Sequence, residues 1–284
     1  MTTLTAEGRE QVTTALQRCI DVLDHSPAAL VTDIDGTISE VAPTPEEATV
    51  LPAARDALTR LQRSLAFVGV VTGRAASIGE ALVDIPGLLV IGNHGLEWSD
   101  SNGVREHPEA VAAVDAIALA LDEVQAAIDA QNAATGIIYE NKRLSGTIHY
   151  RLAPDPPRAY ATLTAVVGPI VERLGLRLTE GRFILELRPR VLVNKGTAVT
   201  DLIQRKGLQG IVFFGDDTTD VDAFQAVRAA REAGTLAGVR IGVTAAETPP
   251  AVIAESDVTV PGVDACAALL TQLADHFERV SLNA

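Results

Sequence analysis

Asp33 and Asp35 stand two residues apart, where the apolar run Ala28-Ala29-Leu30-Val31 gives way to Thr32-Asp33-Ile34-Asp35-Gly36-Thr37. A buried strand that stops abruptly at two carboxylates and a glycine reads as a strand ending in a tight turn. Alternate residues of an extended chain share a face, so both carboxylates would project toward one point. Like charges that close stay ionised together only beside a cation. A site offering oxygen ligands alone suits Mg²⁺. The chemistry this predicts is metal-dependent phosphatase chemistry, with Asp33 as nucleophile and an aspartyl phosphate as intermediate. Taken alone, the stretch fits an Asx-rich turn after a strand just as well.

Three further polar clusters follow or precede regular elements: Thr72-Gly73-Arg74, Lys195-Gly196 and Gly215-Asp216-Asp217-Thr218-Thr219-Asp220. Phosphoryl transfer from a monoester needs a nucleophile, charge neutralisation and donors for the non-bridging oxygens. Asp33, Asp216 and the backbone carbonyl of Asp35 are the candidate metal ligands. Gly36, Thr37, Thr72, Gly73, Arg74 and Lys195 form the candidate phosphate-binding set, with Thr72 and Gly73 expected at a helix N-terminus. Asp35 is the candidate acid for the leaving alkoxide, and then the base for the attacking water. Asp217 and Asp220 would hold metal-bound waters or orient Lys195. Singly, these clusters also read as helix caps or a solvated lysine. Their joint order and position favour a catalytic site.

The elements that must hold these groups alternate along the chain. Helical spacing covers residues 6 to 25, Pro52 to Arg63 and Ile78 to Leu82, and apolar strands run over Leu65 to Val71 and Leu88 to Ile91. Between them, Ala42 to Ala48 is a proline-rich loop expected to lack regular structure. Strand, polar tip, helix, strand is the pattern of a parallel sheet covered on both faces, with ligands beyond the carboxyl ends of its strands. From Pro108 the pattern changes. One uninterrupted helix is expected from Glu109 to Gln131, then strands over Gly136 to Asn141 and Leu144 to Leu152. A helix from Arg158 to Leu174 and strands over Leu176 to Thr179 and Phe183 to Leu187 follow. The earlier alternation resumes at Lys195, with strands Ile211 to Phe214, Val239 to Val243 and Asp257 to Val260, and ends in a helix from Val263 to Arg279. The expected organisation is an α/β core over residues 1–107 and 190–284, with a smaller α+β domain inserted at 108–189.

Composition narrows the partners. The 284 residues are 47% hydrophobic and 21% charged, with a formal net charge of −14, which argues against nucleic-acid and anionic-membrane partners. Cys19 and Cys266 supply neither a zinc site nor a disulfide framework and fit a reducing cytoplasm. The first residues carry no basic-then-apolar leader pattern, and no apolar stretch reaches membrane-spanning length. A soluble cytoplasmic protein is expected, and the sequence names no protein partner.

The order Asp-x-Asp-Gly-Thr, Thr-Gly-Arg, Lys-Gly, Gly-Asp-Asp-x-x-Asp resembles the four motifs of the haloacid dehalogenase (HAD) superfamily. The insertion resembles its C2-type cap. From about Ala29 to Leu270 the chain is similar to the trehalose-6-phosphate phosphatase family, through Gly92-Asn93-His94-Gly95-Leu96-Glu97, Glu140-Asn141-Lys142, His149-Tyr150-Arg151 and Glu186-Leu187-Arg188-Pro189. The resemblance implies a HAD-like Rossmannoid core, Mg²⁺ as cofactor and a sugar phosphate as small-molecule substrate. It departs from the usual family residues at Ile34, Thr72, Val221 and Arg182, where aromatic, Ser, Glu and Lys are commoner.

Strand alternation gives the inserted sheet one apolar face and one charged face. Glu140 and Lys142 share a face, His149 and Arg151 alternate with Ile148 and Tyr150, and Arg182, Glu186 and Arg188 alternate with Phe183, Leu185 and Leu187. Such a face is ordinarily solvated. Beside a phosphatase centre it becomes a sugar-reading surface, with Glu140, Lys142, Arg151, Arg182 and Glu186 as candidates. His94 and Glu97 are further candidate sugar contacts, with a buried histidine and a loop carboxylate as the alternative.

Overall fold

The computed structural model describes residues 5–282, so the reading of a leader-free start at residues 1–4 lies outside the described residues. Two compact units emerge, one of residues 1–104 and 193–284, the other of residues 105–192.

In the first unit, α1 (Ala6–Leu23) precedes β1 (Ala28–Thr32), α2 (Pro52–Ser64), β2 (Phe67–Val71), α3 (Ala76–Val83) and β3 (Leu89–Gly92). A hairpin of β4 (Glu97–Asp100) and β5 (Gly103–Glu106) follows, and the division into units falls within β5, after Val104. The second unit holds α4 (Pro108–Ala112), α5 (Val114–Ala130), β6 (Ile138–Asn141), β7 (Gly146–His149), α6 (Pro156–Arg173), β8 (Leu176–Gly181) and β9 (Ile184–Pro189). The chain then returns through α7 (Lys195–Lys206), β10 (Gly210–Gly215), α8 (Thr218–Glu232), β11 (Ala237–Thr244), α9 (Pro250–Glu255), β12 (Val258–Pro261) and α10 (Gly262–Leu282).

The larger sheet has eight strands in the order β12-β11-β10-β1-β2-β3-β4-β5. β12 through β3 pair in parallel and β4 turns antiparallel. Alternation along β1 explains why its whole run is apolar. Leu30 enters the core shared with α1, α2 and α10, while Ala29 and Val31 enter the core shared with α7 and α8. Each face of the sheet is covered, so every β1 residue is buried.

Two elements go beyond the expectations, and two expectations need correction. The sheet carries the β4–β5 hairpin, which four-residue, partly exposed strands do not announce by hydrophobicity. α9 is a single short apolar turn after Pro249. The loop at residues 42–48 includes a 3₁₀ turn, Pro45–Glu47. The long helix expected from Glu109 breaks at Ala113 (φ −95°, ψ −1°), where the Ala113 N–H donates back three residues to Ala110 O. No glycine or proline marks that break.

The second sheet runs β6-β7-β9-β8, all antiparallel, with α5 and α6 against its apolar face. Among the described residues, no helix is long and apolar enough to cross a membrane.

Candidate active site

Register brings three strand ends together. Thr32 lies opposite Val70 of β2 and Phe214 of β10, so the segments that follow β1, β2 and β10 emerge side by side. The Asp33 N–H donates to Phe214 O at 2.9 Å, carrying the ladder one residue past the strand. α7 begins at Lys195 because Asn194 caps it, its side chain accepting the Thr197 N–H at 2.8 Å. That start sends the lysine into the interior, where Nζ lies 3.0 Å from Asp33 Oδ1 and 2.8 Å from Asp220 Oδ1. At the start of α8 the support comes from its third residue, Asp220, whose Oδ2 accepts the N–H groups of Asp216 and Asp217 at 3.2 and 3.1 Å.

Asp33, Asp216 and Asp220 each present an oxygen within 4.8 Å of the others, and all three are buried. Burial, above all, pushes the Asp33 carboxyl up to about 8, against the opposing pull of Lys195. Burial and the neighbouring Asp33 push Asp216 up to about 9. Lys195 is penalised by burial too, but Asp220 and Asp33 more than offset this and hold its ammonium above the ordinary range. Three carboxylates thus face one ammonium, and the excess negative charge is what a further cation would relieve. An all-oxygen donor set fits a hard divalent ion, with Asp33 and Asp216 the side chains able to hold it, since Asp220 is committed to Lys195 and two backbone donors. Thr37 supports Asp216, donating its hydroxyl to Oδ1 at 3.1 Å.

Asp35 lies past the end of β1, near enough to Asp33 that its charge adds to burial in pushing that carboxyl up. β1 ends at Thr32, Ile34 is fully buried in the core, and the chain turns at Gly36 in a left-handed conformation (φ +83°). The Asp35 carboxylate is held by Arg74, whose Nε and Nη2 donate to its two oxygens at 2.7 and 2.8 Å. Arg74 also donates from Nη1 to Pro45 O at 3.0 Å. These bonds engage Nε, Nη1 and Nη2 of the guanidinium that was expected to face phosphate. Gly36 and Thr37 are likewise engaged, the Gly36 N–H on Ser39 O at 2.7 Å and the Thr37 hydroxyl on Asp216. Asp217 stands as the first residue before α8.

Thr72 and Gly73 precede α3, which begins only at Ala76. The Thr72 hydroxyl accepts the Arg74 N–H at 3.2 Å and keeps its own proton to donate. A Cβ on Gly73 would stand 2.7 Å from the His94 ring, so this loop and that imidazole need each other's shape. His94 belongs to a turn in which Asn93, His94 and Gly95 all have positive φ, and its N–H donates to Thr72 O at 2.9 Å. Glu97 is directed at the protein: its Oε1 accepts the Ala76 N–H at 2.8 Å and the Asn93 side-chain amide, capping α3. These contacts assign His94 and Glu97 to bracing the Thr72 loop, a role that the lone sequence signal of three small or polar residues, Asn93-His94-Gly95, only hints at.

In the second unit, Glu140, Thr147, Glu186 and Thr179 lie in one cross-strand row. Lys142 Nζ sits 3.8 Å from both Glu140 Oε2 and Glu186 Oε1. His149 Nε2 lies 3.0 Å from Glu140 Oε2, and Ser145 and Thr179 hydroxyls donate to Glu186 at 3.3 and 3.4 Å. Arg151 and Arg182 stand apart from this row. Arg151 donates to Arg182 O at 3.5 Å and rests 4.8 Å from the centroid of the Phe183 ring. Thr147 and Ser145 were not among the sequence candidates, although the alternation that selected Glu140 also selects Thr147.

Residues 31–252 match the trehalose-phosphatase family model. The chain belongs to the trehalose-phosphatase family. It is 34% identical over 205 residues to a trehalose-phosphate phosphatase of Mycobacterium marinum, covering 70% of this chain and 51% of that protein. The Mycobacterium avium trehalose-phosphate phosphatase is 33% identical over 233 residues, covering 80% of this chain and 57% of the relative. An uncharacterized glycosyl hydrolase of Mycobacterium tuberculosis is 35% identical over 208 residues, which cover 70% of this chain but 15% of that protein. The chain thus spans about half, or less, of the length of these curated relatives. Among solved structures, the C-terminal domain of C. albicans trehalose-6-phosphate phosphatase superposes with a TM-score of 0.77 at 18% identity, over 93% of this chain and 96% of that one. That likeness establishes the HAD-type fold of the family.

Proposed function

We propose that this member of the trehalose-phosphatase family hydrolyses trehalose 6-phosphate to trehalose and phosphate, with Asp33 as nucleophile. The observation that carries the proposal is the buried Asp33 carboxylate, 3.0 Å from Lys195 and grouped with Asp216 at the strand ends. Lys195 steers one Asp33 oxygen, leaving the other to attack phosphorus, and it offsets negative charge on the transferring group. The Thr72 hydroxyl is a donor for a non-bridging oxygen. Asp35 protonates the departing sugar alkoxide and then takes a proton from the water that cleaves the aspartyl phosphate. Mg²⁺, held by Asp33 and Asp216, supplies further charge neutralisation when bound. Glu140, Lys142 and Glu186 supply paired donors and acceptors for sugar hydroxyls, with Arg151 and Arg182 as outlying donors.

Phosphate release from trehalose 6-phosphate, glucose 6-phosphate and para-nitrophenyl phosphate, each with Mg²⁺ and with chelator, tests the reading. We expect preferred turnover of the trehalose ester, dependence on the metal and loss of turnover in Asp33→Asn. Equal turnover of unrelated sugar phosphates would defeat the substrate assignment. Substantial residual turnover in Asp33→Asn would remove Asp33 as nucleophile.

A further inference from the structure

We infer that Arg74 is a positioning residue for the acid–base group Asp35 and does not serve as a phosphate ligand. The inference rests on the phosphatase reading above. Its basis is the fork geometry: Nε to Oδ2 at 2.7 Å and Nη2 to Oδ1 at 2.8 Å, with Nη1 anchored on Pro45 O at 3.0 Å. A planar guanidinium bound on both oxygens fixes the plane and the direction of the carboxylate, which a single ammonium contact would not. Asp35 needs such help because it lies past the end of β1, with a side chain 34% exposed, whereas the Arg74 side chain is 11% exposed. Arg74 in turn is set by the loop after β2, whose Arg74 carbonyl accepts the Asn93 N–H at 2.7 Å. Three segments therefore meet at one guanidinium: the turn after β1, the loop after β2 and the 3₁₀ turn at Pro45–Glu47.

The fork leaves the chemistry possible. Each carboxylate oxygen has two lone pairs, and Arg74 occupies one on each. As the bond from Asp33 to phosphorus forms, the bond from phosphorus to the ester oxygen breaks, and the proton carried by Asp35 passes to that departing oxygen. In the second half, water attacks phosphorus, the bond to Asp33 breaks, and the water's proton goes to Asp35. Both proton transfers require the same direction of the carboxyl group, and Arg74 sets it. The sugar ester and the nitrophenyl ester differ in one respect. An alkoxide leaving group needs the proton, and a nitrophenolate does not.

That difference supplies the test. In wild-type protein with Mg²⁺, rapid mixing with para-nitrophenyl phosphate reads the nitrophenolate burst (transfer to Asp33) and the steady state (water attack) separately. In Arg74→Gln and Arg74→Lys we expect the burst rate to stay within about threefold of wild type, while the steady-state rate falls by about 10²-fold. With trehalose 6-phosphate, single-turnover transfer should fall by about 10²-fold as well. Asp35→Asn should reproduce this pattern, and Arg74→Gln added to it should cost almost nothing further. An equal loss of burst and steady state, or a KM raised alike for both esters, would overturn the inference and return Arg74 to the phosphate. So would full additivity of the two variants. If Arg74→Gln does not fold, Arg74→Lys, which keeps the charge and loses the fork, decides alone. A wild-type protein that releases phosphate from neither ester would refute the phosphatase reading itself, a result distinct from any pattern among the variants.

Discussion

Asp220 holds Lys195 from below: one carboxylate oxygen accepts its ammonium at 2.8 Å, and the other accepts the backbone N–H groups of Asp216 and Asp217. Every acceptor of this fully buried carboxylate that the site uses therefore faces a donor. Asp220→Asn cannot satisfy that arrangement in either orientation, since its amide NH₂ must meet the ammonium or the backbone donors. We expect a stability loss of about 2 kcal/mol in urea, together with at least a tenfold fall in kcat. An unchanged unfolding midpoint would show that Asp220 does not anchor the lysine.

Gly36 carries the turn that directly follows Asp35. Its φ is +83°, and an added Cβ would stand 2.0 Å from Asp216 Oδ2. Gly36→Ala must displace Asp216, so activity should fall by about 10²-fold and the Mg²⁺ needed for half-maximal rate should rise. Gly175→Ala is the control, with φ +69° and nothing within 4 Å of the added atom. It should cost about 1 kcal/mol of stability and leave turnover intact. Comparable activity losses in both variants would mean that backbone strain, and not the crowding of Asp216, is at work.

These two residues also mark the limits of what the sequence discloses. The parallel core was legible because β1, β2 and β10 are buried on both faces and so read as unbroken apolar runs. The polar strand tips were legible for the same reason, since each run stops sharply. The fork of Arg74 on Asp35 was not, because its two residues lie 39 apart in the chain. Glu97 was open to two readings because its partner, the start of α3, is remote in sequence. The β4–β5 hairpin offered only its Asn102-Gly103 turn, between strands too short to show an apolar period, and the break at Ala113 has no glycine or proline to announce it.

On the charged face of the second sheet, Glu140 and Glu186 should behave differently when truncated. The Glu140 side chain is 24% exposed and that of Glu186 only 5%. Glu140→Ala should raise KM for trehalose 6-phosphate at least tenfold and leave para-nitrophenyl phosphate nearly unaffected, because the aryl ester has no sugar hydroxyls. Glu186→Ala removes the buried acceptor of Ser145 and Thr179 and the counter-charge beside Lys142. We expect it to cost on the order of 3 kcal/mol in stability as well. Equal losses on both esters in Glu140→Ala would reduce that residue to a folding role.

Far from the site, Asp257 links acid to stability. It accepts the Arg240 backbone N–H at 3.0 Å, the Arg240 Nε and Nη2 at 2.9 Å each, and Arg231 Nη1 at 2.9 Å. Burial alone would raise its carboxyl, but these donors outweigh burial and hold it at about 2, below the ordinary 3.8. A carboxyl depressed on folding stabilises the native state above the unfolded value, and that contribution disappears as the pH falls through the folded value. The shift corresponds to about 2 kcal/mol. Asp257→Asn should therefore be less stable than wild type by about that amount at neutral pH, and the gap should narrow steadily between pH 4 and about pH 2. Urea unfolding of both proteins across that range reads the gap directly. A gap of constant size would mean that the carboxylate's charge contributes nothing, and that the loss comes from contacts which a neutral carboxyl makes and an amide does not.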